Sequence, residues 1–428
     1  MGVYMDIKPY PVAALLVLLM FNAQATAITT GQDSFEFHGY FRGGLGFSEA
    51  GTNQSRFQAP GTRSAFRLGN EPDTNLELQL TYNYEIDPAE GSHVQGIFML
   101  DGYKAHGESN EFSVDHLAQT YLSFNGFMSD NSKLWLGRRY YERKNIYISD
   151  HTWLNPGQNS QNGIGLEDIS AGNSKLNIAL FRYEDNFELT GSSYLLNSSN
   201  LDLRWHDISF GNELSFTAWA ALSQRHKNTS LGYQSESGYG LGGWLDGKPG
   251  KLKHTTALLY QTGPSITQGD YNARPVREDQ GWDLANASAI EINHTRTHEV
   301  SPDYSLQWTI LARQEDRGTT GHSTFNWLSI GARPVFYFSA HRSLAIEVGV
   351  DAIDDKINDV SGSLSKLSGA YQFSAKRGFF SRPVLRLFIT FANWSDELRG
   401  LVGNSPGDAP YANETQGWSL GTQVEAWW

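Results

Sequence analysis

Gly403, Ser405 and Gly407 match the G-x-S-x-G spacing of a serine nucleophile. A nucleophile elbow needs a strand before the serine and a helix after it. Here the match sits in a Gly-, Pro- and Asn-rich stretch without helical patterning, so it reads as a loop. Gly238, Gly240 and Gly243 carry the spacing of a dinucleotide fingerprint, but no strand–helix–strand context surrounds them. Glycines within a strand are the plainer reading. His294 and His298 lie four apart near Glu291 and Glu299. A strand or loop gives them no shared helical face, and no H-E-x-x-H occurs. The expectation is no enzyme, no metal and no cofactor. The chain has 0 Cys, which removes disulfides, thiolate ligands and cysteine nucleophiles. A net charge of -13 argues against a nucleic-acid partner, since phosphate binding needs clustered positive charge.

The elements that must position any site alternate with period two. In residues 35–47 the odd positions are Phe35, Phe37, Gly39, Phe41, Gly43, Leu45 and Phe47. The even positions include Glu36, His38, Tyr40 and Arg42. Leu76, Leu78, Leu80, Tyr82 and Tyr84 share one face, opposite Glu77, Gln79, Thr81, Asn83 and Glu85. The same alternation recurs in 214–222, 344–351, 385–391 and 418–428. In the last of these, Gln423, Glu425 and Trp427 oppose Trp418, Leu420, Val424 and Trp428. No long segment shows a 3.6-residue period.

A soluble β-sandwich or propeller also alternates, but no repeat of propeller length is present. Mean hydropathy of -0.44 argues against membrane helices. Residues 12–21 form a single apolar run, too short for the ~20 residues a spanning helix needs. It follows Lys8 and precedes Ala25-Thr26-Ala27, which reads as a signal peptide over 1–27, leaving 28–428 as one barrel domain. An uncleaved anchor or buried strand is the alternative for that run. Strands of about ten residues, apolar on one face and aromatic at their ends, are the pattern of a transmembrane β-barrel. At about 20–25 residues per strand with its connection, 28–428 allows roughly 16 to 20 strands, enough for an aqueous channel.

The segments FEFHGYFRGGLGF (35–47), RLGNEPDTNLELQL (67–80), LWLGRRYYERKNIYISD (134–150), GIGLEDI (163–169), FFSRPVLRLF (379–388) and GTQVEAWW (421–428) resemble the maltoporin family of sugar-specific outer-membrane porins. The matches run in order along nearly the whole chain. The resemblance implies an all-β fold: an 18-stranded antiparallel transmembrane barrel with an inward-folded third loop. It implies a homotrimer in the lipid of a Gram-negative outer membrane. It also implies facilitated diffusion of a sugar without cofactor or energy input. Such channels pair an aromatic slide for the apolar faces of sugar rings with a polar track for their hydroxyls.

Residue by residue, the resemblance carries the slide to Tyr40, Phe380 and Trp427. It carries the track to Arg42, Arg67, Glu77, Arg143 and Asp150. Alternation separately turns Tyr40 and Trp427 to the polar face. Phe380 shares parity with Arg386, and Arg67 with Glu77, if no bulge intervenes. The sequence also departs from the family pattern. Asn75 replaces a slide tyrosine, Asn145 replaces a track aspartate, and Thr152 replaces the third-loop constriction tyrosine, with Trp153 beside it. Tyr103 is a candidate for the aromatic that the second loop lends to a neighbouring subunit. These losses favour a less specific pore for shorter or different glycosides. Two bland readings stay open: the aromatics fill the wall, and the arginines are structural ion-pair partners. The leading function is a carbohydrate-selective porin. A general diffusion porin is second, and a barrel enzyme or adhesin third.

Overall fold

The computed structural model describes residues 28–30, 33–49, 53–87, 91–106, 111–114, 116–127, 132–157, 161–211, 213–247, 252–269, 276–403, 411 and 413–428. The expected signal peptide, and Ser405 of the serine motif, lie outside them. The barrel strands are, in order, β1 (Asp33–Ser48), β2 (Asp73–Asp87), β3 (Ser92–Ala105), β4 (His116–Asn125), β5 (Lys133–Arg138) and β6 (Asn162–Ala171). Next come β7 (Ser174–Leu189), β8 (Ser192–Phe210), β9 (Leu214–Arg225), β10 (Glu236–Gly247), β11 (Leu252–Thr262) and β12 (Ser288–Ser301). The last six are β13 (Tyr304–Asp316), β14 (Thr324–Tyr337), β15 (Arg342–Asp355), β16 (Val360–Ser374), β17 (Val384–Trp394) and β18 (Gln416–Trp427).

Each strand pairs antiparallel with the next, and β18 returns to β1 in the register Tyr40↔Trp427 to Ser48↔Ser419. The sheet is therefore closed with 18 strands, as expected. Closure leaves no backbone edge for hydrocarbon to meet. No helix among the described residues is long and apolar enough to cross a membrane.

Alternation decides which side chain faces lipid. Along β17, Leu385, Leu387, Ile389 and Phe391 are exposed outward, while Arg386, Phe388, Thr390 and Ala392 are buried inward. The connections at one end are short, such as 172–173 and 302–303; at the other end most are long, such as 49–72, 139–161, 263–287 and 395–415. Short turns mark the periplasmic end and long loops the outside. At the seam, the Trp428 and Gly39 backbones exchange both N–H···O bonds at 3.2 Å, and the Trp428 ring lies over Gly39. Beyond it, Ile28–Thr30 folds back and pairs with β1 at Phe35, Ser34 and Asp33.

The third loop (139–161) folds inward, as expected. Within it, Lys144–Ile146 pairs with His151–Leu154. Ile146, Ile148, Trp153 and Leu154 are buried against the inner wall. The first loop (49–72) also folds inward, which the sequence reading did not anticipate. Its Phe66 ring rests on Gly331 and Gly349, register partners on β14 and β15. A Cβ at either glycine would lie 2.0 Å from the ring, so this seat requires glycine at both positions.

Candidate functional site

The two inward loops contact each other. The Arg67 N–H donates to the Ile148 carbonyl at 3.0 Å, joining first loop to third. The first loop is held to the wall through Leu68. Its carbonyl accepts from Lys366 Nζ at 2.8 Å and Ser368 Oγ at 2.7 Å, and its N–H donates to Glu347 Oε1 at 2.9 Å. Asn70 clamps the loop on itself, donating to the carbonyls of Phe57 and Phe66, both at 2.9 Å.

Glu425 on β18 is the hub of the site and is 0% exposed. Its carboxylate accepts from Arg67 Nη2 at 3.2 Å, Arg382 Nε at 2.9 Å and Arg386 Nη2 at 2.8 Å. It also accepts the hydroxyls of Tyr40 at 3.2 Å and Tyr147 at 3.0 Å. A buried carboxylate persists when charged donors fill its lone pairs. A second hub adjoins it. Arg42 grips Asp73 bidentately at 2.8 and 2.9 Å and reaches Glu71 at 2.7 Å, and Glu71 also takes Arg67 Nε at 2.7 Å. Burial pushes the Glu71 carboxyl up, but Arg42 and Arg67 outweigh it and hold it below its ordinary value.

Half-buried aromatics stand over this buried network. Tyr40 and Trp427 are cross-strand partners across the seam. The Arg382 guanidinium lies 4.3 Å from the Trp427 ring and 5.6 Å from that of Tyr147. Tyr147 meets Phe380 at 5.2 Å and Phe379 at 6.1 Å, and Arg67 lies 4.6 Å from its face. The hydroxyls of Tyr40 and Tyr147 are tied down, so their half-buried rings are fixed in place. Fixed aromatic faces suit C–H surfaces, and each such contact costs little ordering on binding.

The structure thus gathers Tyr40, Trp427 and Phe380 with Arg42 and Arg67. Two of the local arguments for these residues do not hold. Arg67 lies in the first loop, and Phe380 in the connection 375–383, so strand parity applies to neither. Arg42 and Arg67 are buried and engaged by carboxylates, which gives them a structural task in this state. The other track residues make no hydrogen bond to Glu425 among the described residues, and Glu77 has Arg143 and Arg42 as its neighbouring positive charges. Glu77 is the register partner of Tyr40 and of Asp101. Arg143 packs over the Tyr140 ring at 3.7 Å, and Asp150 is exposed on the third-loop turn at φ 55. Thr152 and Trp153 are both buried, Trp153 against Trp244 at 5.5 Å, so neither presents a surface at the constriction. Tyr147, five residues earlier than Thr152, is the third-loop aromatic at the junction.

Sequence reasoning missed Tyr147, Glu71, Asp73, Arg382 and the central role of Glu425. It also misplaced Tyr103. That residue is not on the second loop but on β3, in register with Asn75, which is in turn in register with Arg42. Register partners share a face, so Tyr103 lines the lumen, 57% exposed. Its aromatic ring stands one strand from the position where Asn75 lacks one. Among the described residues no group of three or more His, Asp or Glu could hold a metal.

A model of the LamB porin family matches residues 35–428. Solved structures share the fold at low identity. The outer-membrane channel DcaP of Acinetobacter baumannii is 12% identical with a TM-score of 0.51, over 94% of this chain and 100% of that one. Salmonella typhi OmpF, in complex with daunomycin, is 9% identical with a TM-score of 0.50, over 94% and 100%.

Proposed function

Because the chain belongs to the LamB porin family, and is thereby an outer-membrane β-barrel porin of a Gram-negative cell, we propose that it is a carbohydrate-selective porin passing oligosaccharides or glycosides by facilitated diffusion, as a homotrimer. The observation that carries the sugar reading is the row of fixed aromatic faces. Tyr40, Trp427, Tyr147 and Phe380 are half-buried around one buried carboxylate, on which two of them are anchored by their hydroxyls. A sugar offers its apolar ring face to such a row. Its hydroxyls find exchangeable partners among Glu77, Arg143 and Asp150. Several moderate sites in series let a solute enter and leave.

One observation favours a general diffusion porin instead. Arg42 and Arg67, which a polar track would offer to sugar hydroxyls, are consumed by Glu71, Asp73 and Glu425. Planar-bilayer recordings separate the two readings. A panel of maltose, sucrose, cellobiose, aryl-glucosides and raffinose is expected to give saturable block of ion current with at least one member. Trp427→Ala is expected to weaken that block by about 1–3 kcal/mol, the scale of a lost stacking contact. A current that falls only in proportion to solution viscosity, with no saturation, leaves the general porin.

A further inference from the structure

The outer wall of β11–β13 carries a cluster of imidazoles and an arginine at positions of outward parity. On β12, Ile290 and Ile292 are exposed outward, while Glu291 and Asn293 are buried inward. The pairing with β13 runs unbroken from Ser288 to Glu299, so His294, Arg296 and His298 share the outward parity of Ile292. On β11, Leu258 and Tyr260 face outward, and His254 and Thr256 share their parity. His254 is the register partner of Arg296, and Thr256 of His294. The His294 ring lies tilted against Trp308 at 4.7 Å and stacks on His254 at 6.1 Å, and Thr256 Oγ1 bonds its Nδ1 at 2.7 Å. His254 Nδ1 and His294 Nε2 are buried atoms without a hydrogen-bond partner among the described residues. No carboxylate among the described residues pairs with Arg296. The nearby acids are engaged elsewhere: Asp246 with Thr255, Glu299 with the Phe379 N–H, and Asp303 with Arg377.

The level of this patch selects its partner. Tyr304, Phe336, Phe338, Tyr371 and Phe373 form an outward aromatic belt beside the short turns, with Tyr304–Phe336 at 5.1 Å and Tyr371–Phe373 at 5.2 Å. Such belts sit at the headgroups. Arg296 is in register with Trp308, four residues from Tyr304 along β13. Four residues of strand tilted by about 40° amount to roughly 10 Å of depth. An extended arginine spans most of that by snorkelling towards the belt. A cation facing hydrocarbon without a counter-charge is costly, and an anion at headgroup level relieves it.

We propose that His254, His294, Arg296 and His298 form an outer-wall site for the phosphate of a phospholipid headgroup in the periplasmic leaflet. The guanidinium takes the phosphate oxygens as a fork, the imidazoles of His254 and His298 flank it, and the Trp308 ring packs beside the acyl chains. The site lies outside the pore and does not depend on the sugar reading.

The test is native mass spectrometry of the folded barrel in neutral detergent, incubated with phosphatidylglycerol or with the phosphate-free digalactosyl diacylglycerol. The expected result is retained phosphatidylglycerol in excess over the glycolipid. Retention should fall about fivefold in Arg296→Gln and be only partly kept in Arg296→Lys, whose point charge attracts the phosphate but makes no fork. His254→Gln/His298→Gln should lower it about twofold, and decides the matter if Arg296→Gln does not fold. Equal retention of the two lipids, or unchanged phosphatidylglycerol in both variants, overturns the proposal. So does an Arg296→Gln barrel that changes its oligomeric mass while keeping its lipid, since the site then belongs to a second copy of the chain.

Discussion

Glu425→Gln keeps the shape of the hub and removes its charge. Three guanidiniums, from Arg67, Arg382 and Arg386, end on this one carboxylate within 3.2 Å. At about 4 Å and an effective dielectric of about 20, each pair is worth roughly 4 kcal/mol of attraction, most of it offset by desolvation. Removing one partner of a buried ion cluster costs about 3–5 kcal/mol, because the remaining charges stay buried. The amide keeps one acceptor oxygen, and Glu71 still serves Arg67, so the lower end of that range applies. The loss is local. The 18 ladders are untouched, whereas the first loop through Arg67, the third loop through Tyr147 and the connection 375–383 through Arg382 all lose their common anchor. The variant should keep its folded, heat-modifiable mobility on gels. Its single-channel conductance should rise and its current noise increase, and any sugar block should weaken. Conductance, noise and block all equal to the parent would refute the view that this carboxylate holds the constriction together.

Gly349→Val should drive Phe66 off its seat, since a Cβ there already meets the ring. Losing a buried phenylalanine contact is worth about 3–5 kcal/mol, and proteolysis within the first loop should become faster in folded barrels. The Glu71 carboxyl is held below its unfolded value, so its contribution to loop docking is complete above about pH 4.5 and is lost as pH falls through the lower folded value. Conductance should therefore be steady from pH 7 to about 5 and rise only in stronger acid; a rise centred near pH 6 would assign the transition to another group. Tyr103→Ala should weaken sugar block by up to about 1–3 kcal/mol if its ring restores the aromatic missing at Asn75. Block identical to the parent would leave Tyr103 as wall.

The barrel was legible because a strand in lipid allows no other pattern. Leu385, Leu387, Ile389 and Phe391 alternate with inward residues in sequence as they do in space. Tyr40 and Trp427 were legible for the same reason. Arg67 and Phe380 were gathered to the site by loop and turn, where parity carries no information. Glu425 could be assigned to the lumenal face, but its three arginines lie far from it along the chain, and no local pattern announces such pairing. Gly331 and Gly349 read alone as weak strand residues; only the register shows them as two halves of one seat. Thr152 stands at the family spacing of the constriction position. The short hairpin 144–154 instead buries that segment and turns Tyr147 to the junction.

The seam joins residues almost a whole chain apart, Tyr40 to Trp427. Contacts of such separation are the slowest to form, because the intervening chain must already be ordered. Until they form, β1 and β18 are two free edges. The residues that zip them together, Tyr40, Arg42, Glu425 and Trp427, are also those from which the hub and its aromatic row are built. Sealing the cylinder therefore also brings the two halves of the lumenal site together. With the seam open, Glu425 keeps Arg382 and Arg386 beside it on the β17 side but lacks Tyr40, so closure is what adds the partners from β1 to the hub.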